Sequence, residues 1–332
     1  MYARLDLLQI KVIFLYKKIY FFVYQAMNKL LKTIFPEKIR CIAVTAPAGL
    51  PDHLRLDRAI EELSEVLTVK NYTAQPTANT PPYLAADSSE RLKCFNAAVN
   101  DPDVELILAV RGGFGSVHIL PGIDYDTLRR RNLPVMGYSD ITAVHCAMLA
   151  KNAGVPISGC NLLQLNEAAE DDLSIASHRL ALQQNANQST LPTPVLQAVN
   201  TQAIATQRVA YPAYAANLTV LASLCGTGFM PDFSNRILII EDVNEPLYKI
   251  DRMLEQLRLS GVLKNIPALV FGKFTDPENS AEALDKLFER FAATLGSPCY
   301  KNFAFGHQFP MCAVNSSHTL HIANDQKPFF TP

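Results

Sequence analysis

The chain has 332 residues, 49% of them hydrophobic, with 30 basic and 31 acidic side chains and a formal net charge of -1. It is long enough for one large or two ordinary folded domains, and its hydrophobic content is typical of a globular protein. No net field draws it to nucleic acid or to an anionic membrane, so a small-molecule or peptide substrate is the expectation.

Residues 7–24 (LLQIKVIFLYKKIYFFVY) are apolar and aromatic enough to suggest a signal or anchor. Lys11, Lys17 and Lys18 divide them into runs far shorter than the roughly 18–20 residues a bilayer span needs. The preferred reading takes Met27 as the natural start and residues 1–26 as an upstream extension, with the whole of 1–38 lying ahead of the domains as an N-terminal extension, because domain sequence begins only near Ile39. From there IRCIAVTAPAG reads as a short strand ending in Pro47 and Gly49, and residues 52–69 have helical periodicity. Residues 88–104 read as a helix capped by Ser88 or Asp87, and ELILAV (105–110) as a buried strand leading into Arg111-Gly112-Gly113-Phe114-Gly115. PVMGYSD (134–140) is a strand with a sharp turn, followed by a helix over 141–154 that stops at Gly154. Strands alternating with helices imply an α/β fold with a mostly parallel sheet, which defines an N-terminal domain over 39–165.

Residues 166–210 are rich in Ala, Gln, Asn, Ser and Thr without a strong apolar run, and read as an interdomain connection. A second α/β domain spans 211–332, with a strand RILIIED (236–242), a helix over 249–261 and a strand ALVFGKF (268–274). The final residues, ANDQKPFFTP, read as a poorly ordered end. The seven cysteines are scattered, with no CxxC pair, and are expected as reduced core residues of a cytoplasmic protein.

Ser139 lies between the end of an apolar strand and the start of a helix, where a nucleophile elbow exposes its hydroxyl and a helix N-terminus faces developing negative charge. A serine or aspartate before a helix is ordinarily only a cap, and Gly137-Tyr138-Ser139-Asp140-Ile141 lacks the second glycine of GxSxG. The glycines after Arg111 form either an oxyanion or phosphate cradle or a tight turn; the spacing meets neither the dinucleotide fingerprint nor the P-loop. Glu241 ends a strand at a sheet edge where open α/β folds place functional groups. Of the seven histidines, His145 is expected to pack structurally. His53, His118 and His178 have no special context, and His318 and His321 alternate with apolar residues and are expected to face solvent. His307 follows Phe303-Ala304-Phe305-Gly306, whose glycine frees the backbone.

Together these segments change the odds. The chain resembles the LD-carboxypeptidase family of serine peptidases from Ile39 to about His307, through VTAPAG (44–49), the block 90–115 ending in RGGFG, LPGIDYD (120–126), GYSDIT (137–142), NLTVLASLCGT (217–227), LIIEDVNEPLYKIDRMLEQL (238–257) and FGH (305–307). The resemblance implies Ser139 as nucleophile, Glu241 as triad acid, His307 as general base, and the backbone N–H groups of Gly113 and Asp140 as the oxyanion hole. It implies a two-domain architecture in which the first domain carries the serine and the second the acid and base. It further implies removal of the terminal D-alanine from murein tetrapeptides in cytoplasmic peptidoglycan recycling, by a homodimer that needs no metal or organic cofactor. Arg111 is a candidate partner for a substrate carboxylate, a buried structural arginine being the alternative. Two other functions share the fold: a microcin-immunity-type hydrolase of peptidyl-nucleotide toxins, and a non-catalytic muropeptide-binding protein. The chain departs from the family pattern at Ala215-Ala216, where Gly-Gly is usual and two added Cβ atoms are expected to narrow the pocket, and after His307, where the usual proline-glycine turn is missing.

Overall fold

The computed structural model describes residues 31–183, 189–190, 194–324 and 326–332. The apolar stretch 7–24 and Met27 lie outside them. Two sheets organise the chain. The first holds β1 (Cys41–Thr45), β2 (Thr68–Tyr72), β3 (Leu106–Ala109), β4 (Pro134–Gly137) and β5 (Val155–Ser158). These five strands pair in parallel in the order β5-β4-β3-β1-β2. Strands β1, β3 and β5 are buried along their whole length, as expected of a parallel sheet covered on both faces.

The expected helix over 52–69 is shorter. It runs His53–Ser64, with the Asp52 carboxylate accepting from Arg55 N–H at 2.9 Å, and the chain then enters β2. TVKNY is a half-exposed edge strand and so carries no apolar run to read. Its Lys70 ammonium donates to Asp101 at 2.7 Å and Asp103 at 2.8 Å, closing that edge with charge.

The second sheet holds β6 (Ser189–Thr190), β7 (Gln197–Ala198), β8 (Arg208–Asn217), β9 (Ile237–Val243), β10 (Ala268–Thr275), β11 (Cys299–Lys301), β13 (Thr319–Ala323) and β14 (Phe329–Thr331), while β12 (Val314–Asn315) leaves it to pair antiparallel with β5 of the first. Its centre, β8-β9-β10-β11, is parallel. Strand β8 serves two partners: residues 208–212 pair antiparallel with β13 and residues 213–217 parallel with β9. The end of the chain is therefore a paired strand, anchored by buried Phe330 against Phe303 at 6.4 Å between ring centroids.

The described residues within 166–210 include a helix Asp172–Ala181, capped by Asp171, and a helix Thr201–Ala205 capped by Asn200. Their alanines and serines bury without forming an apolar run, which is why composition alone reads the segment as a connection. The two sheets share their packing. Alternate residues of both enter two hydrophobic clusters, one containing Ile42, Leu106, Ala215 and Ile239, the other Ala43, Ile107, Ala216 and Ile240. Hydrogen bonds also cross between the halves: Ser158 Oγ donates to Ala215 O at 2.5 Å, and Asn217 N–H donates to Thr142 Oγ1 at 3.0 Å. Among the described residues no helix is long and apolar enough to cross a membrane.

Candidate active site

Strand β4 ends at Gly137 and the backbone reverses at Ser139, a non-glycine residue held at φ 63° in the left-handed region. Such a conformation costs on the order of 1–3 kcal/mol and persists only where its surroundings enforce it. A single turn of 3-10 helix, Ser139–Ile141, runs straight into the helix Thr142–Ala150. Neither Ser139 nor Asp140 caps this helix with its side chain. The Asp140 carboxylate instead accepts from Ser116 N–H at 2.8 Å, while Ser116 Oγ donates to Asp140 O at 2.6 Å. Burial pushes the Asp140 carboxyl above its ordinary pKa. Ser139 is half-buried, and its hydroxyl makes no hydrogen bond among the described residues.

The loop 111–115 lies directly against this turn. A Cβ on Gly112 would stand 2.7 Å from Ser139 Cβ and 2.8 Å from its Oγ, so only glycine allows the approach. Gly113 has φ 112°, and its N–H has no acceptor among the described residues. Asp140 occupies the first helical turn, where N–H groups have no intrahelical partner. Arg111 is exposed and donates to Leu50 O at 3.0 Å, so it is a rim residue and not the buried structural arginine of the alternative reading.

That buried arginine is Arg91, 1% exposed, which donates to the carbonyls of Pro47, Ala86 (2.9 Å) and Gly115 (2.8 Å) and so ties three loops behind the glycines. Nothing in the sequence singles it out, because an arginine in an amphipathic helix is ordinarily a surface residue.

Glu241 lies on β9, fully buried. Its Oε2 accepts from His307 Nδ1 at 2.8 Å and its Oε1 from Asn217 Nδ2 at 3.1 Å. Burial raises the Glu241 pKa, opposed by the His307 and Asn217 bonds. Asn217 also donates to Asp242 Oδ1 at 3.0 Å, and its own side-chain oxygen caps the helix Leu218–Ser223. Its backbone N–H reaches Thr142, three residues past the serine. A continuous set of bonds therefore runs from the serine turn through Asn217 to Glu241 and His307. Gly306, at φ 146°, brings His307 in: a Cβ there would meet Lys273 Cβ at 2.9 Å and Glu241 Oε2 at 3.3 Å.

With Nδ1 bound to the carboxylate, Nε2 is the ring nitrogen left to His307, whose side chain is 19% exposed. The ring of Tyr138, the residue before the serine, lies 4.8 Å from the His307 ring. Ser139 and His307 share no direct hydrogen bond among the described residues, a common state for such sites without substrate.

The other histidines are occupied elsewhere or lie apart from Glu241. His145 is buried, donates from Nε2 to Val135 O at 3.0 Å, and has its pKa pulled down to about 3 by burial. His178 donates from Nδ1 to Ser174 O at 2.7 Å, accepts from Cys160 N–H at 2.9 Å, and is pulled down to about 4. His318 is buried, contrary to the solvent-facing expectation, because it sits in the turn before β13 with its N–H on Asn315 O. His321 stacks on Phe329 at 4.4 Å. His53 is exposed at the start of its helix, and His118 meets Phe114 edge-on at 5.4 Å. The added methyls of Ala215 and Ala216 enter the two hydrophobic clusters, one each, and both residues are buried.

Fold and site together define a two-sheet α/β protein in which a strained serine turn from the first half faces a buried glutamate–histidine pair from the second. The chain belongs to the LD-carboxypeptidase family: the model for that family's N-terminal domain matches residues 42–159 and the model for its C-terminal domain residues 212–322. It is 31% identical over 281 residues to the probable murein peptide carboxypeptidase of Bacillus subtilis (strain 168), covering 82% of this chain and 85% of that protein. The crystal structure of muramoyltetrapeptide carboxypeptidase from Oxalobacter formigenes superposes with a TM-score of 0.74 at 26% identity, covering 87% of this chain and 97% of that one. A structure of the microcin C7 self-immunity protein MccF in complex with glutamyl sulfamoyl guanosine superposes with a TM-score of 0.75 at 21% identity over 88% and 95% of the two chains, a likeness of fold.

Proposed function

We propose that this chain is a serine carboxypeptidase that hydrolyses the L,D-amide bond joining diaminopimelate to the terminal D-alanine of a murein tetrapeptide. The observation that carries the reading is the 2.8 Å hydrogen bond from His307 Nδ1 to fully buried Glu241, one ring away from the strained Ser139 turn. Glu241 fixes the imidazole with its proton on Nδ1, leaving Nε2 as a base. Nε2 takes the Ser139 proton as Oγ bonds to the carbonyl carbon of diaminopimelate. The Gly113 and Asp140 N–H groups receive the oxyanion, each contributing about 3–4 kcal/mol. Collapse breaks the C–N bond, and the imidazolium returns its proton to the leaving D-alanine amine. Water then attacks the acyl-enzyme by the same proton route, which restores Ser139 and frees the tripeptide.

Arg111, on the rim beside Gly113, serves as partner for a substrate carboxylate. The seven free cysteines, four of them with thiol pKa pushed up by complete or nearly complete burial (Cys146, Cys160, Cys299, Cys312), support work in the reducing cytosol. The homodimer implied by the resemblance is part of the same reading. A murein peptide is preferred over a peptidyl nucleotide because the relative with 31% identity is named for the former. The test is release of free D-alanine from purified L-Ala-γ-D-Glu-diaminopimelate-D-Ala. The wild-type chain should release it and Ser139→Ala should not; a peptide left intact by both, alongside cleavage of an aminoacyl sulfamoyl nucleoside by the wild type, would reassign the substrate.

A further inference from the structure

The loop that carries His307 is tied down at its two ends by backbone and serine contacts. Lys273 N–H donates to Phe305 O at 2.8 Å before the histidine, and Met311 N–H donates to Ser174 Oγ at 2.9 Å after it. Between those ends the five residues 306–310 have little to hold them. His307 itself bonds Glu241, and Pro310 has no N–H to donate. Phe309 packs against the hydrophobic cluster, but the remaining hydrogen bonds come from one side chain: the Lys273 ammonium donates to Gln308 O at 2.8 Å and to Pro310 O at 2.7 Å. No other hydrogen bond reaches those two carbonyls among the described residues.

Lys273 is placed for this by a fault in the sheet. Strand β10 pairs with β9 in register up to Phe271 opposite Ile240 and resumes at Phe274 opposite Asp242, so Gly272 and Lys273 together oppose Glu241. Such a bulge re-aims a side chain. Gly272 permits it, since a Cβ there would lie 2.6 Å from Phe305 O. Lys273 is half-buried and takes no carboxylate partner among the described residues. Its charge is committed to two carbonyls of the histidine loop.

We propose that Lys273 is a positioning residue for catalysis, holding the 306–310 loop so that His307 keeps its bond to Glu241 and presents Nε2 toward Ser139. The proposal rests on the reading of His307 as general base. Lys273→Met retains the aliphatic stem and removes both bonds, which frees the Gln308 and Pro310 carbonyls and lets the imidazole wander. A misplacement of about 1 Å at a reacting group costs roughly 100-fold, so kcat for D-alanine release should fall about 10- to 100-fold with KM nearly unchanged. Lys273→Arg, whose guanidinium can also span two carbonyls, should recover much of the loss.

The experiment measures kcat and KM for D-alanine release by the wild type, Lys273→Met and Lys273→Arg, each with its thermal midpoint. A kcat loss in the methionine variant, restored by arginine at comparable midpoints, supports the role. Equal kcat in the wild type and Lys273→Met overturns it while leaving the serine–histidine reading intact. Losses in both variants that follow their midpoints make Lys273 merely structural and also overturn it. A wild type that neither releases D-alanine nor cleaves an aminoacyl sulfamoyl nucleoside overturns the reading of the site, and the role of Lys273 with it.

Discussion

Asn217 shows how much a single side chain contributes to this site. Its one amide donates to Glu241 and to Asp242, two carboxylates that are both buried and both raised in pKa by desolvation. Without it, Glu241 Oε1 loses its donor, while Asp242 keeps Thr219 and its neighbour Val243 N–H. Leaving buried acceptors unpaired costs about 1–3 kcal/mol each, more for charged groups. Asn217→Ala is therefore expected to lower unfolding free energy by about 2–4 kcal/mol in a denaturant titration. A change below about 0.5 kcal/mol would mean that water replaces the amide. At this scale the sequence was partly legible. Ser139 and Glu241 stand at strand ends, which is a positional signal, and His307 follows a glycine. Arg91, Asn217 as a carboxylate donor, and Lys273 were not legible, because what distinguishes each is a long-range partner: Arg91 and Gly115 are 24 residues apart, and Lys273 and Pro310 are 37 apart.

Two buried histidines on helices make folding stability depend on pH. His145 on Thr142–Ala150 and His178 on Asp172–Ala181 are both neutral in the folded protein, with pKa values near 3 and 4 against an ordinary 6.5. Above pH 6.5 both folded and unfolded chains hold them neutral, so they add no slope. As pH falls below 6.5 the unfolded chain binds the two protons and the folded chain does not, so stability drops by up to about 1.4 kcal/mol per pH unit for each histidine. Denaturant midpoints measured from pH 7 to 5 should therefore fall, and His178→Gln should flatten the slope by about one proton; an unchanged slope would place the uptake elsewhere. Element boundaries followed the same logic as the residues. Strands β1 and β3, fully buried, and β9, buried up to its last residue, read as apolar runs. Strand β2 and the two-residue β12 did not, because an edge strand and a strand that crosses to the other sheet have no pattern of their own.

At the scale of the whole molecule, the two halves pack together through shared clusters and an exchanged strand. Strand β12 leaves the second half to complete the first sheet, and both sheets feed the same two hydrophobic clusters. The serine turn belongs to one half and the glutamate–histidine pair to the other, so the proposed site draws on both. The alternation of strands and helices made the α/β class legible, but not this crossing, which depends on pairing between residues far apart in sequence. The measurement that bears most directly on this account is mass-spectrometric mapping of a fluorophosphonate adduct on the wild type, Ser139→Ala and His307→Gln. The account predicts an adduct on Ser139, none in Ser139→Ala, and labelling slowed by at least about a thousandfold in His307→Gln. An adduct on another residue, or labelling of His307→Gln at the wild-type rate, would contradict a nucleophile in one half activated by a base in the other.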